Sequence, residues 1–156
     1  MPVQVNTSIE ILAPASVIWD ILCDFERYPE WNALFSNIRG ELALGATLTV
    51  ELDSGWRGRR FRSKLTQLRT GNELTWERKL VFGWVFRGRH SFRIEPTTNG
   101  CLFTHTASFS GITADVFPSG RFRKRLLRDF EAFNHGLKSR AEQMARTDVP
   151  SPPAAE

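Results

Sequence analysis

The sequence predicts an α+β fold in which a seven-stranded antiparallel sheet is covered by one long helix, and three observations carry that expectation. Short strand-like segments follow one another between about residues 34 and 110, separated only by brief turn-forming runs. Another such segment opens the chain and is followed by two short helical stretches. Beyond residue 120 a single apolar stripe recurs at helical spacing, the one large element able to cover an apolar sheet face.

The elements can be justified in order. Val3, Val5, Thr7, Ile9 and Ile11 alternate with polar residues and form one side of a first strand. In "APASVIWDILCDFERYPEW", Pro14 suits a first helical turn, and Val17, Ile18, Ile21, Leu22 and Phe25 make a helical stripe. A second short turn of helix is expected to end near Tyr28 and Pro29. Strands are then expected at about 34–42, 46–53, 59–69, 72–81, 84–95 and 101–110. Gly45, "SGWRG" (54–58), "TGN" (70–72), Gly83 and "TTNG" (97–100) supply the turn chemistry between them. Turns this short join antiparallel neighbours.

Phe122, Leu126, Phe130, Phe133, Leu137, Ala141 and Met144 step by three or four, which predicts one amphipathic helix entered after "FPSG". Gly136 inside it costs about 1 kcal/mol relative to Ala and points to a close approach. One domain is expected over residues 1–146. The remainder, "TDVPSPPAAE" (147–156), lacks a core-forming pattern and reads as a disordered tail.

A chain of 156 residues buries about 70% of the surface its unfolded form exposes, enough for a sizeable core. Five Trp and twelve Phe beside one Tyr exceed what a small core obviously needs. The net charge of +4 leaves an anionic partner open without identifying one. Cys23 and Cys101 have no metal or redox spacing and read as small, partly buried hydrophobes. Asn6 begins an "NTS" triplet, but no leader sequence accompanies it and no apolar run approaches a membrane span, so a cytoplasmic location is expected.

Three stretches carry a family resemblance: "VIWDILCDFERYPEWNALF" (17–35), "GRHSFRIEPTTNGCLFTHTASFSG" (88–111) and "FNHGLKSRAEQ" (133–143). They resemble the START-like superfamily, specifically its polyketide cyclase/dehydrase and lipid-transport (SRPBCC) type, over about residues 3–145. The resemblance implies a helix-grip fold, with the sheet curved around the C-terminal helix and a hydrophobic cavity between them. It does not fix an activity, because such folds host binders, transporters and enzymes. No catalytic residue is carried over by it.

The residues themselves narrow the chemistry. There is no Walker-A loop, Rossmann fingerprint, HExxH or nucleophile elbow, and no cofactor is implied. In "WVFRGRHSFRIEP" (84–96), Trp84, Phe86, Gly88, His90, Phe92 and Ile94 share one strand face, while Arg87, Arg89, Ser91 and Arg93 take the other. His105 shares its own apolar face with Cys101, Phe103, Ala107 and Phe109. With "NG" (99–100) as a two-residue hairpin loop, the two histidines stand about 13 Å apart along the strands. A longer loop brings them diagonally closer, but no third ligand is evident, and no metal site is expected.

Parity also sets Arg78 beside Leu74, Trp76 and Leu80. A buried guanidinium needs a partner. Asp129 on the long helix, water or a ligand anion could serve, and a bulge turning Arg78 outward is the alternative.

The function expected is binding, or transport, of a small hydrophobic or aromatic ligand between sheet and helix. Arg78 and His90 would orient its polar end, with Trp76, Trp84, Phe86, Phe92, Phe103, Phe109, Phe130 and Phe133 as walls, joined by Phe61 and Leu74. Trp31, Leu34 and Phe35 would lie near the entrance. Burial should hold His90 neutral, able to donate one hydrogen bond to a ligand carbonyl or hydroxyl. A polyketide cyclase/aromatase-like enzyme using the same cavity is one alternative. An adaptor meeting membrane lipid or ribosomal RNA through basic residues such as Arg121, Arg123, Lys124, Arg125 and Arg128 is another. A transient anionic membrane contact is compatible with this charge, a specific nucleic-acid partner is not indicated, and the oligomeric state is left open.

Overall fold

The structure, a computed structural model, describes residues 3–52, 59–80, 86–111 and 120–148. Its elements are β1 (Val3–Ile11), α1 (Ala15–Cys23), a 3-10 helix (Phe25–Glu30), β2 (Phe35–Arg39), β3 (Thr47–Leu52), β4 (Arg60–Arg69), β5 (Glu73–Leu80), β6 (Phe86–Pro96), β7 (Cys101–Ser110) and α2 (Gly120–Thr147). The expected turns at 54–58 and Gly83, the run "FPS" before α2 and the tail from 149 onward lie outside the described residues.

The strands form one seven-stranded antiparallel sheet in the order β1-β7-β6-β5-β4-β3-β2. β1 and β2 are thus at opposite edges although they are consecutive strands, and α1 with the 3-10 helix carries the chain across between them. Hairpins then return it strand by strand until β7 pairs with β1, from Val3 opposite Phe109 to Ile11 opposite Cys101. β2 is shorter than the sequence pattern predicts. It stops before Gly40, whose φ of 143° is open to glycine and strained for other residues.

The β6–β7 connection differs from the two-residue loop that "NG" signals. Pro96 pairs with Cys101, leaving four residues between them, and Thr97 N–H donates to the Gly100 carbonyl at 2.8 Å. A Cβ at Gly100 would lie 2.1 Å from the Ile11 carbonyl oxygen, so the loop is fitted against the end of β1. The longer loop shifts the register by two residues, setting His90 opposite Ala107 and His105 opposite Phe92.

The α2 stripe lies against the curved inner face of the sheet. Leu126, Phe130, Phe133, Leu137 and Ala141 are buried, as the spacing predicts. Phe133 is central, stacked on Phe92 at 5.3 Å and edge-on to Trp31 and Phe35. Gly136 meets the 3-10 helix so closely that a Cβ there would sit 2.0 Å from the Trp31 carbonyl oxygen. The far end of α2 is fastened to β1 by Lys138, which donates to the Glu10 carbonyl at 2.8 Å, and by Glu142, which accepts the Leu12 N–H at 3.0 Å.

Candidate functional site

Three successive cross-strand rows on the inner face explain where the site lies. The first joins Leu74, Phe92, His105 and Thr7 across β5, β6, β7 and β1. The second joins Leu65, Trp76, His90 and Ala107. The third joins Arg78, Gly88 and Phe109, with Ser63 one step beyond the Lys64–Glu77 pair on β4. Bulk falls along β6 from Phe92 through His90 to Gly88 and along β4 from Leu65 to Ser63, so these two strands leave the third row underfilled. Close packing is therefore lost at the third row, and a cavity of about 150 Å³ opens there.

The floor of the cavity is Ser63, Trp76, Arg78, Gly88, His90 and Phe109. Phe122, Leu126 and Phe130 of α2 roof it, and Leu34, Phe35, Leu52, Arg59, Phe61 and Arg89 complete the rim. Asn32 fixes the entry of β2, because its Oδ1 accepts the N–H groups of Leu34 at 3.0 Å and Phe35 at 2.8 Å. That capping aims Leu34 and Phe35 inward.

His90 and His105, which a two-residue loop would hold apart, are in contact. Their Nε2 atoms share a hydrogen bond, with ring centroids 4.6 Å apart. From His105 the chain of bonds continues through Nδ1 to Asn134 Oδ1 at 3.2 Å, and from Asn134 Nδ2 to Thr7 Oγ1 at 2.9 Å. Thr7 Oγ1 in turn donates to the His105 carbonyl at 3.3 Å. Thr7 spends its proton there, so it accepts from Asn134, and Asn134 Oδ1 must accept from His105 Nδ1. His105 Nε2 is then a bare lone pair and receives the proton of His90 Nε2. The one polar valence left to His90 is the acceptor at Nδ1, so the expectation that it donates to a ligand is corrected: its donor is spent on His105.

The rings around this relay are packed tightly. Phe130 stacks on His105 at 3.8 Å, and Trp76 stacks on His90 at 5.3 Å. Burial lowers His90 to about 3, and burial together with the neighbouring His90 drives His105 well below the ordinary imidazole range, against a smaller opposing effect of Asn134. Both rings are neutral at physiological pH. Among the described residues, no group of three or more His, Cys, Asp or Glu side chains could hold a metal ion.

Arg78 is half-buried and lines the cavity. Its guanidinium lies over the Phe61 ring at 5.0 Å, and burial, with Arg59 nearby, lowers its pKa. The partner considered for it, Asp129, is instead paired with Arg125 one helical turn away at 3.9 Å. Ser63 Oγ is buried and has no hydrogen-bond partner among the described residues.

The chain matches the polyketide cyclase/dehydrase and lipid transport family over residues 2–142. It belongs to that family. No curated protein sequence matches it. Among solved structures, it is similar to the di-domain aromatase/cyclase StfQ of the steffimycin biosynthetic pathway, at 13% identity and a TM-score of 0.72 over 96% of this chain. The chain spans 53% of that protein. A START superfamily protein from Mycobacterium smegmatis has 19% identity and a TM-score of 0.71, covering 90% of this chain and 98% of its own. The Zhui aromatase/cyclase from Streptomyces sp. R1128 has 15% identity and a TM-score of 0.66, covering 97% and 98%. At these identities the likeness establishes the helix-grip fold.

For this member of the polyketide cyclase/dehydrase and lipid transport family, the sequence-predicted residues divide into four groups. Arg78, His90, Trp76, Phe109 and Phe130 line the cavity together with Phe61, Leu34 and Phe35. Phe92, Phe103, Phe133 and Leu74 are fully buried in the core beneath it, because the larger first-row side chains leave no space there. Trp31 packs on Phe133 and Tyr28 away from the cavity. Trp84 and the side chain of Phe86 lie outside the described residues. Sequence reasoning missed Ser63, Gly88, Phe122 and Leu126 as cavity residues. Parity and helical spacing faced all four inward, but small residues on an apolar face were the unused signal for where the space would be.

Proposed function

We propose that this family member binds a small apolar or aromatic molecule in the cavity between the sheet and α2. The observation that carries the reading is the third cross-strand row, where Ser63 and Gly88 replace bulk and leave an apolar space beside Arg78 and His90. Family membership supports the same ligand class. Free Cys23 and Cys101 favour a reducing, cytoplasmic setting. Arg121, Arg123, Lys124 and Arg128 are exposed along the first turns of α2 and would serve a transient contact with anionic membrane lipid rather than the ligand.

The test is binding of a neutral apolar fluorescent dye to the full chain and to Gly88→Leu and Leu126→Trp, which fill the cavity from floor and roof. The wild type should bind it, and a variant that keeps its melting transition should lose most of that binding. Undiminished binding by both folded variants would move the ligand site elsewhere.

A cyclase/aromatase-like enzyme is the second reading, favoured by the His90–His105–Asn134–Thr7 relay and by the fold likeness to two aromatase/cyclases. His90 Nδ1 would then accept a substrate proton while the relay holds the ring in place. Recovery of a supplied aromatic-precursor ligand unchanged after long incubation supports a binder. Conversion that disappears in His90→Phe supports an enzyme.

A further inference from the structure

We infer that the ligand is a single-ring aromatic acid whose carboxylate supplies the counter-ion that Arg78 and Arg59 lack at the cavity. This rests on the cavity-binding reading above and names the ligand class.

Three cations on the outer face of β5 and β6 have acids: Arg87 and Lys79 share Glu77 at 3.2 and 3.4 Å, and Arg93 reaches Glu73 at 3.7 Å. Arg78 and Arg59 both border the cavity, and among the described residues neither has a carboxylate within ion-pair distance. The two guanidinium groups repel one another, and burial partly strips that of Arg78 of water. Their mutual cost is relieved by an anion and by no neutral ligand.

Hydrogen bonding points the same way, independently of charge. Ser63 is 2% exposed, and its Oγ has no partner among the described residues although it lines the cavity. Buried hydroxyls without partners are rare, and each calls for an explanation. Ser63 neighbours Arg78 across the β4–β5 ladder, one step past Lys64–Glu77. A carboxylate there would accept from the Ser63 hydroxyl with one oxygen and from the Arg78 guanidinium with the other. Charge-assisted bonds of this kind are short and directional.

Size and polarity set the rest of the molecule. A cavity of about 150 Å³ is well below the roughly 300–1,000 Å³ of drug-sized pockets, and is of the order that admits a benzene-sized molecule. One ring fits, lying against Trp76 and Phe130. The neutral His90, whose remaining polar atom is a lone pair, would repel a carboxylate. The acid group is therefore directed to the Arg78 end, and a ring hydroxyl is the group His90 could accept from.

Benzoate and its neutral isostere benzamide, titrated into the full chain by calorimetry, test this directly. The wild type should bind benzoate at least about tenfold more tightly than benzamide, the range expected for hydrogen bonds to a charged group. Arg78→Met should reduce benzoate to the benzamide level and leave benzamide unchanged, and Ser63→Ala should weaken benzoate selectively. Arg59→Gln, at an exposed position, should do so to a smaller degree, and the two-ligand comparison in the wild type needs no variant. Equal affinity for the two probes, or benzoate binding untouched in Arg78→Met, would overturn the acid inference while the cavity reading stands. If the neutral dye binds and neither probe does, the inference fails alone. If none of the three binds, it fails together with the cavity reading.

Discussion

His90, at the cavity wall, and His105, in the core behind it, share one proton-bearing bond, and a further proton on either ring would charge a site largely shut off from water. The consequence for stability has a definite sign. An unfolded histidine protonates near pH 6.5, whereas in the fold His90 stays neutral down to about 3 and His105 is held well below its ordinary range too. Below pH 6.5 the unfolded chain therefore binds more protons than the folded one. Stability from these groups is complete above pH 6.5 and falls as the pH drops toward 3, by up to about 1.4 kcal/mol per pH unit for each ring. Urea midpoints measured between pH 6.5 and 5, above most carboxylate titration, should fall steadily. His90→Phe should make that slope shallower by about one proton. A slope unchanged in His90→Phe would mean that the ring is not buried neutral. Strand parity made the inward aim of both histidines legible, and their contact was not. The deciding residue is Gly100, whose fit against Ile11 favours a four-residue loop over the shorter one its dipeptide signals.

Among the elements, α2 was the most legible and Gly136 is its most informative position. In an exposed helix, Gly→Ala stabilises by about 1 kcal/mol. Here the added methyl would meet the Trp31 carbonyl oxygen at 2.0 Å, an impossible contact with backbone that must move. Gly136→Ala should therefore lower stability by about 1–3 kcal/mol, the usual cost of overpacking, in chemical denaturation. It should also disturb ligand binding, because the same segment carries Asn32 and through it Leu34 and Phe35. A Gly136→Ala variant more stable than the wild type would show that the helix and the 3-10 segment are not packed this closely. The stripe predicted which α2 residues face the sheet, but could not tell which of them meet packed rows and which meet the open one. For the same reason the Arg78–Asp129 pairing did not survive. A helix neighbour at i−4, Arg125, reaches Asp129.

At the scale of the whole molecule, the fold turns on the crossing from β1 to β2 and the return of β7 to β1, which together wrap the sheet around α2. Strand count, antiparallel pairing and the covering helix follow from turn spacing and periodicity, so they could be read without coordinates. The cavity could not be located that way. Its position depends on cross-strand registry, which brings Ser63, Arg78 and Gly88 into one row and so opens space beyond Trp76 and His90. The central claim is that this space, not the polar outer face of the sheet, receives a small aromatic ligand. Isotope-filtered nuclear Overhauser contacts between unlabelled benzoate and the labelled chain test it most directly. Contacts are expected from the ring protons to Trp76, Phe109, Phe130 and His90. Contacts confined to Thr104, Thr106 and Ser108 on the outer face would contradict it.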